Sequence, residues 1–414
     1  MSDKAVVRLD HVATPFLGCH AVSANNYCFC PVVVAPFGSE RLGGAGGDDI
    51  LAQFPRGAAA VEAERVLDMA EQSLKALGSS LAQGTKIEQF CAHSAVAAPY
   101  LEVRAKKIET ATRPASTNIQ VAGLTNPNAL IGIQLIAHTG KSAKEAIVVP
   151  GMPASPGKPF KPAPHAVVHG DFVFVTGQVS FDFDEGYPAA AEIDETSWYQ
   201  SKAYAEARYI MGKHARVLEH LGGSLKDCVK LEIYLNDISD VWDLEKVMQE
   251  SFGDALPARS YLPTVRLGPT HCRVEITAIC RKPGVKEKIT RISNADAGRR
   301  SWLSPVAIEY GGFLFTSSLA GNMTDRLDVS LPLADQVNRL FEKLQGIGPL
   351  RKAGIDSVLF ASMQIADSVD LGELRWNVEQ VKGQDRIAIS SVVVQSPLLW
   401  VRGGIQADFI CLAN

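Results

Sequence analysis

Apolar and polar positions recur along this chain in the same order three times. "HAVSANNYCFCP" (20–31), "HAVVHGDFVFVT" (165–176) and "VAIEYGGFLFTS" (306–317) each set out a short apolar segment, a turn pair drawn from Asn, Gly and Asp, and an aromatic-rich segment. Alternation broken by such a pair is the pattern of a β-hairpin. A helical period then takes over. Ala203, Ala207, Ile210, Met211, His214, Val217, Leu218 and Leu221 form one apolar stripe that ends at a Gly pair, as an amphipathic helix and its stop require. A stripe displaced by 144 residues holds Ala59, Ala63, Val66, Leu67, Ala70, Leu74 and Leu77, and a shorter third copy holds Val337, Leu340, Phe341, Leu344 and Ile347.

An alternating strand follows each helix, clearest in "CVKLEIYLND" (228–237) and "SVLFASMQIAD" (357–367). A second helix and two closing strands complete the unit. The pattern predicts an α+β chain of three tandem β-β-α-β-α-β-β units at 1–146, 150–285 and 290–414, joined by "VVPGMPASPGKPFKPAP" (148–164) and "RKPGVKEKITRISNADAGRR" (281–300). Two helices cover only one face of such a sheet. The strands 172–176 and 272–280 carry apolar residues facing both ways, so the second face must be buried too. Packing the three uncovered faces around a common axis, as an intramolecular pseudo-trimer, meets that need.

Composition narrows the class without changing this picture. The 414 residues are 46% hydrophobic and 21% charged, as expected of an ordinary globular protein. A net charge of −4 leaves no footprint for nucleic acid. The opening residues lack a signal-peptide apolar run, and nowhere do 18 apolar residues run unbroken, so a cytoplasmic protein with no membrane partner is expected. The eight cysteines form no CxxC pair and read as buried free thiols, with "CFC" (28–30) packing on one strand face. "RLGGAGGDD" (41–49) lacks the spacing of a phosphate loop and reads as a mobile loop. No metal-ligand spacing appears and no cofactor is called for.

Three segments of the middle unit carry chemistry. They are "GDFVFVTGQVSFD" (170–182), "LGGSLKDCVKLEIYLNDISDV" (221–241) and "PARSYLPTVRLGPTHCRVEITAIC" (257–280). Together they resemble the Rid (reactive intermediate imine/enamine deaminase, RidA/YjgF-like) family, whose single-domain members are trimers with a chorismate-mutase-like fold. Fused chorismatases are a more distant likeness. The resemblance implies that Arg259 of "PARS" anchors a substrate carboxylate and that Glu275 of "VEITAI" sits beside the attacking water. It also places Gly177 and Gln178 in the pocket. Tyr261 stands where the family commonly has cysteine. Ala163 replaces a pocket tyrosine, with His165 two positions on, so a substrate other than the small amino-acid-derived imine is expected.

The residues themselves agree on the pair and leave its use open. An arginine at the start of a buried strand needs a planar acidic partner, either a ligand carboxylate held bidentately or Glu275 itself. In the first unit "PAST" (114–117) puts Ser116 at the arginine's place and Gly132 at the glutamate's. In the third, "IAISSVVVQ" (387–395) has no arginine and Gln406 replaces the glutamate, with Arg113 and Arg386 lying only nearby. One site in the middle unit, closed by a neighbouring unit, is therefore expected. His165 shares its repeat position with His20, which favours packing. His214 reads as a core residue, His271 beside Cys272 as no nucleophile, and Lys230 and Glu232 as a solvated face.

The expected function is a metal-independent hydrolase acting on a C–N bond of a carboxylate-bearing small molecule, in a monomeric pseudo-trimer or a homo-oligomer of it. A chorismatase-like enzyme acting on an enol ether and a non-catalytic ligand-binding pseudo-trimer are the alternatives.

Overall fold

A computed structural model describes residues 4–413 apart from 11, 14, 36–54, 109–112, 141, 154–162, 184, 194–199, 296–302, 323–329, 349, 351–353 and 400–401. The glycine-rich stretch 41–49 and parts of both linkers lie outside the described residues.

The first unit contributes β1 (Ala5–Val7), β2 (Ala21–Ala24), β3 (Tyr27–Val34), α1 (Pro55–Lys75), β4 (Gly84–Cys91), α2 (Ala97–Lys107), β5 (Ala115–Gln120), β6 (Gly123–Leu124) and β7 (Ile131–His138). The second contributes β8 (Glu145–Ile147), β9 (Ala166–His169), β10 (Phe172–Val179), α3 (Lys202–His220), β11 (Cys228–Leu235), α4 (Val241–Phe252), β12 (Ala258–Pro263), β13 (Arg266–Leu267) and β14 (Val274–Arg281). The third contributes β15 (Thr290–Ile292), β16 (Ala307–Tyr310), β17 (Phe313–Thr316), β18 (Leu319–Ala320), α5 (Leu333–Gln345), β19 (Val358–Ala366), α6 (Leu371–Glu379), β20 (Ala388–Val394) and β21 (Ile405–Leu412).

These strands form three mixed sheets with one scheme of pairing: β1-β2-β3-β7-β4-β5-β13, β8-β9-β10-β14-β11-β12 and β15-β16-β17-β21-β19-β20-β6. In each, the hairpin and the last strand are antiparallel, while the two strands joined through the second helix (β4·β5, β11·β12, β19·β20) are parallel, as a helical crossover dictates. The hairpin turns explain their residues: Asn25 and Asn26 have φ of 48° and 64°, Gly311 and Gly312 of 63° and 75°, angles that other side chains resist.

Two details depart from the expected units. The strand Glu145–Ile147 pairs with β9, so the second sheet begins inside the stretch 1–146 assigned to the first unit. Short strands also cross between units. β13 of the second completes the first sheet against β5, and β6 of the first completes the third against β20.

Each sheet buries one face under its own helices, and the predicted stripes of α1, α3 and α5 fill these three cores. The opposite faces meet one another in a fourth core drawn from all three sheets. At one end of it Tyr27, Phe172 and Phe313, each the first residue of its hairpin's second strand, form a triangle with ring centroids 5.6, 5.9 and 5.9 Å apart. Edge-on and tilted ring contacts of this kind add to the stabilisation from the apolar area they bury. All eight cysteines are free and buried, Cys28 and Cys30 among the residues under α1. No described helix is long and apolar enough to cross a membrane.

Candidate active site

Arg259 and Tyr261 lie on β12, opposite Leu231 and Ile233 of β11. Those two leucine and isoleucine side chains belong to the core under α3 and α4, and paired residues point to the same face of a sheet, so Arg259 faces the helices. It is 2% exposed. Its Nε and Nη2 donate to the two carboxylate oxygens of Glu245 on α4, at 2.6 and 2.5 Å. Nη1 donates to the carbonyl oxygens of Pro257 and Ser304, at 3.3 and 3.1 Å. The Tyr261 hydroxyl donates to Glu245 Oε1. The planar acid that the buried guanidinium requires is therefore Glu245, one turn into the second helix.

Glu275 lies on β14 opposite Tyr234, the neighbour of Ile233 along β11. It therefore points to the other face, away from the helices. The structure does not bring Arg259 and Glu275 together. Both the expected single site around the pair and the alternative of a direct Arg259–Glu275 ion pair are corrected by this parity. Glu275 is 6% exposed and accepts a hydrogen bond from Thr117 Oγ1 of β5, at 3.1 Å. Burial lifts its carboxyl to about 8, with the Thr117 hydroxyl opposing and the negative charge of Glu88 adding to the rise.

Gly177 and Gln178 stand at this second location. A bulge in β10 falls between Val175 and Gln178, and a Cβ on Gly177 would lie 2.1 Å from Glu275 Oε1 and 2.2 Å from Thr117 Oγ1. Only glycine lets the carboxyl and the hydroxyl meet there. Gln178, 3% exposed, donates from Nε2 to the Thr176 carbonyl at 3.1 Å. The Ser116 amide donates to Thr176 Oγ1 at 3.4 Å. The first unit's β5 thus forms the wall opposite Glu275.

His165 is elsewhere. Its Nδ1 accepts from the Val149 amide at 2.9 Å and its Nε2 lies 3.0 Å from the Pro153 carbonyl oxygen. His20 repeats this arrangement with the Leu9 amide and the Ala13 carbonyl. Both rings staple the segment before their hairpin, which is the packing role the repeat comparison favoured. His214 likewise uses Nε2 on the Ile276 carbonyl within the core, 3.0 Å away.

Lys230 and Glu232 are not solvated. They face the interior shared by the sheets, 2% exposed in the case of Lys230. Lys230 pairs with Asp408 at 2.8 Å, and Lys86 pairs with Glu88 at 3.0 Å and with Glu232. Tyr234 donates to Glu88 and Thr277 to Glu232. Burial raises Glu88 to about 7, with the neighbouring Glu232 adding to the rise and Lys86 opposing it. Burial also works to raise Glu232, but Lys86 and Lys230 outweigh it and hold that carboxyl low. The cavity among these groups is about 10 Å³, room for about one water. The signal was present in the sequence: "KIE" at 86–88 and "KLE" at 230–232 put the same charges in apolar strands 144 residues apart.

Comparison with known proteins finds relatives of part of the chain. The model of the family described as endoribonuclease L-PSP matches residues 155–282. A RutC family protein of Pyrococcus abyssi is 32% identical over 140 residues, 98% of its length and 34% of this chain. A protein of Dermatophagoides farinae named 2-iminobutanoate/2-iminopropanoate deaminase is 28% identical over 138 residues, 96% of its length and 33% of this chain. A chorismatase crystal structure covers 63% of this chain and 77% of its own, with 18% identity and a TM-score of 0.45. With 32% identity over 98% of a RutC family protein, and "PARS" and "VEITAI" inside the stretch 155–282 that the family model matches, the chain belongs to the Rid family.

Proposed function

We propose that this protein is a hydrolytic deaminase acting on a C–N double bond, or its enamine tautomer, in a small carboxylate-bearing molecule, with Glu275 as the acid–base group. In this reading the three units form an intramolecular pseudo-trimer, and the reacting site lies where β5 of the first unit meets β10 and β14 of the second. The observation that carries it is the Glu275 carboxyl: buried, raised to about 8, held by one hydroxyl from the neighbouring unit and overlain by a glycine. A carboxyl poised near the working pH can serve as both acid and base. It gives its proton to the imine nitrogen and takes one from the water that attacks the carbon, giving a carbinolamine; it then protonates the amine and takes the hydroxyl proton as the C–N bond breaks, leaving ammonia and a carbonyl. The deaminase name of the Dermatophagoides relative supports the same chemistry.

The test supplies imines in situ from amino acids and an amino-acid oxidase, and follows the release of ammonia. The parent protein is expected to accelerate release, and Glu275→Gln to remove about 100-fold or more of that acceleration, the scale of a lost general acid–base group. A Glu275→Gln variant as fast as the parent would overturn the reading. So would pyruvate released from chorismate without any imine turnover.

A further inference from the structure

In the second unit the gap between β12 and α4 holds an anion of the chain's own, the Glu245 carboxylate, gripped by Arg259 and Tyr261. The first unit builds the same gap between β5 and α2. Ser116 lies opposite Ile87 as Arg259 lies opposite Leu231, and Asn118 lies opposite Gln89 as Tyr261 lies opposite Ile233. On the helix, Leu101 takes the place of Glu245, so that position offers no carboxylate.

A guanidinium is nevertheless present. Arg104, on α2 and 4% exposed, donates from Nη1 to Gln89 Oε1 at 3.2 Å and to Ser116 Oγ at 2.5 Å. Both acceptors are neutral, and among the described residues Arg104 makes no ion pair. Beside it, the Asn118 amide nitrogen and the Tyr100 hydroxyl are buried without a hydrogen-bond partner. Arg113 is close as well: burial first, and the Arg104 charge after it, lower its pKa. A buried cation facing only neutral acceptors, with donors left over around it, is an arrangement that folding disfavours unless an anion completes it. The strand face is also more open than its counterpart, Ser116 and Asn118 being half-buried where Arg259 and Tyr261 are sealed.

We propose that the first unit binds a small carboxylate in the gap between α2 and β5, with Arg104 as its counter-charge and Asn118 and Tyr100 as further donors, in the place that Glu245 fills in the second unit. Ser116 is next to Thr117, whose hydroxyl holds Glu275. By the alternation of β5, Ser116 and Asn118 face α2 while Thr117 faces Glu275, so the carboxylate site lies on the other face of the strand from Glu275. Binding of the carboxylate does not depend on the deaminase reading.

The experiment is calorimetric titration of the full chain with benzoate, and with benzamide as its uncharged analogue. Benzoate is expected to bind at one site and benzamide not to bind. Arg104→Gln should weaken benzoate about tenfold or more, the scale of a lost charge-assisted hydrogen bond. Leu101→Glu installs the carboxylate from within and should abolish benzoate binding while keeping the fold, which guards against reading an unfolded variant as a lost site. Failure of benzoate to bind the parent, unchanged affinity in both variants, or loss of binding in Arg259→Gln instead would overturn the proposal. Glu275→Gln keeps the two ideas apart. If it turns over imines normally yet binds benzoate through Arg104, the deaminase reading falls and the carboxylate site stands; benzoate binding indifferent to Arg104, with turnover lost in Glu275→Gln, gives the reverse.

Discussion

Removing the carboxylate that holds Arg259 should reveal that this arginine clamps the fold. Arg259 is 2% exposed, and its fork closes on both oxygens of Glu245 at 2.6 and 2.5 Å. In Glu245→Leu the guanidinium keeps only the Pro257 and Ser304 carbonyls. Breaking a buried ion pair from one side costs about 3–5 kcal/mol. The Glu245 side chain is 21% exposed, so partial solvation places the loss near the lower end, about 3 kcal/mol. Arg259→Met leaves the more accessible partner behind and should cost less, about 2 kcal/mol. The double variant replaces the pair with apolar groups and should recover a coupling of about 2 kcal/mol or more. Urea unfolding followed by circular dichroism measures all three, and ammonia release from imines measures turnover in the folded variants. Single variants within about 0.5 kcal/mol of the parent, the usual range for surface changes, would refute the clamp. A folded Arg259→Met protein that binds the parent's substrates but no longer turns them over would refute the separation of Arg259 from the reacting site.

Gly177→Ala puts a methyl 2.1 Å from Glu275 Oε1 and 2.2 Å from Thr117 Oγ1; thermal or urea unfolding should show a loss of about 1–3 kcal/mol from overpacking, and imine turnover should fall with it. Glu275 is raised from an ordinary 4.5 to about 8, so its contribution to stability is full below the unfolded value and is lost as pH rises through about 8. Glu275→Gln should flatten the stability profile between those limits, as urea midpoints across the range would show. His169 stacks on His138 with centroids 3.9 Å apart, next to Lys144, Tyr27 and Ser142. Burial, then His138 and Lys144, lower it from 6.5 to about 4, so stability is present above the unfolded value and is lost as pH falls toward 4. In His169→Phe, unfolding measured over pH 4 to 7 should lack that part of the acid slope.

The three sheets and the helices that cover them were legible because hairpin turns, helix stripes and strand alternation are local patterns. The strand Glu145–Ile147 was missed because three residues that run straight into the linker "VVPGMP" carry too little alternation to mark a strand. The site was read less well for a different reason. Alternation correctly set Lys230 and Glu232 on the face opposite Leu231 and Ile233, but it does not say what lies against that face. Three sheets sharing an interior put other strands there in place of water. Glu245 was invisible on the same grounds: within "VWDLEKVMQESF" nothing separates it from the charged neighbours Asp243 and Lys246, and only the register of β12 against β11 aims an arginine at it.

The division of Arg259 from Glu275 follows from how the units touch. Thr117 on the first unit's β5 meets Glu275 of the second, and the Tyr261 carbonyl on the second unit's β12 accepts from Gln406 of the third at 2.7 Å. In both contacts the strand after the second helix meets the glutamate position of the following unit. A unit that carries both residues must therefore give each to a different neighbour. Where three identical chains meet, every contact would still receive one of each. In this chain the first contact has Glu275 opposite Ser116 and Thr117, and the second has Arg259 opposite Gln406. The chain then meets each unbalanced charge locally. Glu245 neutralises Arg259 where Gln406 offers no charge, and Arg104 stands near Ser116 where the strand has no arginine. The second contact is closed on itself by Glu245, and the first holds a neutralisable acid and a cation with no acid among the described residues, which is the contrast that supports proposing the reaction at the first contact.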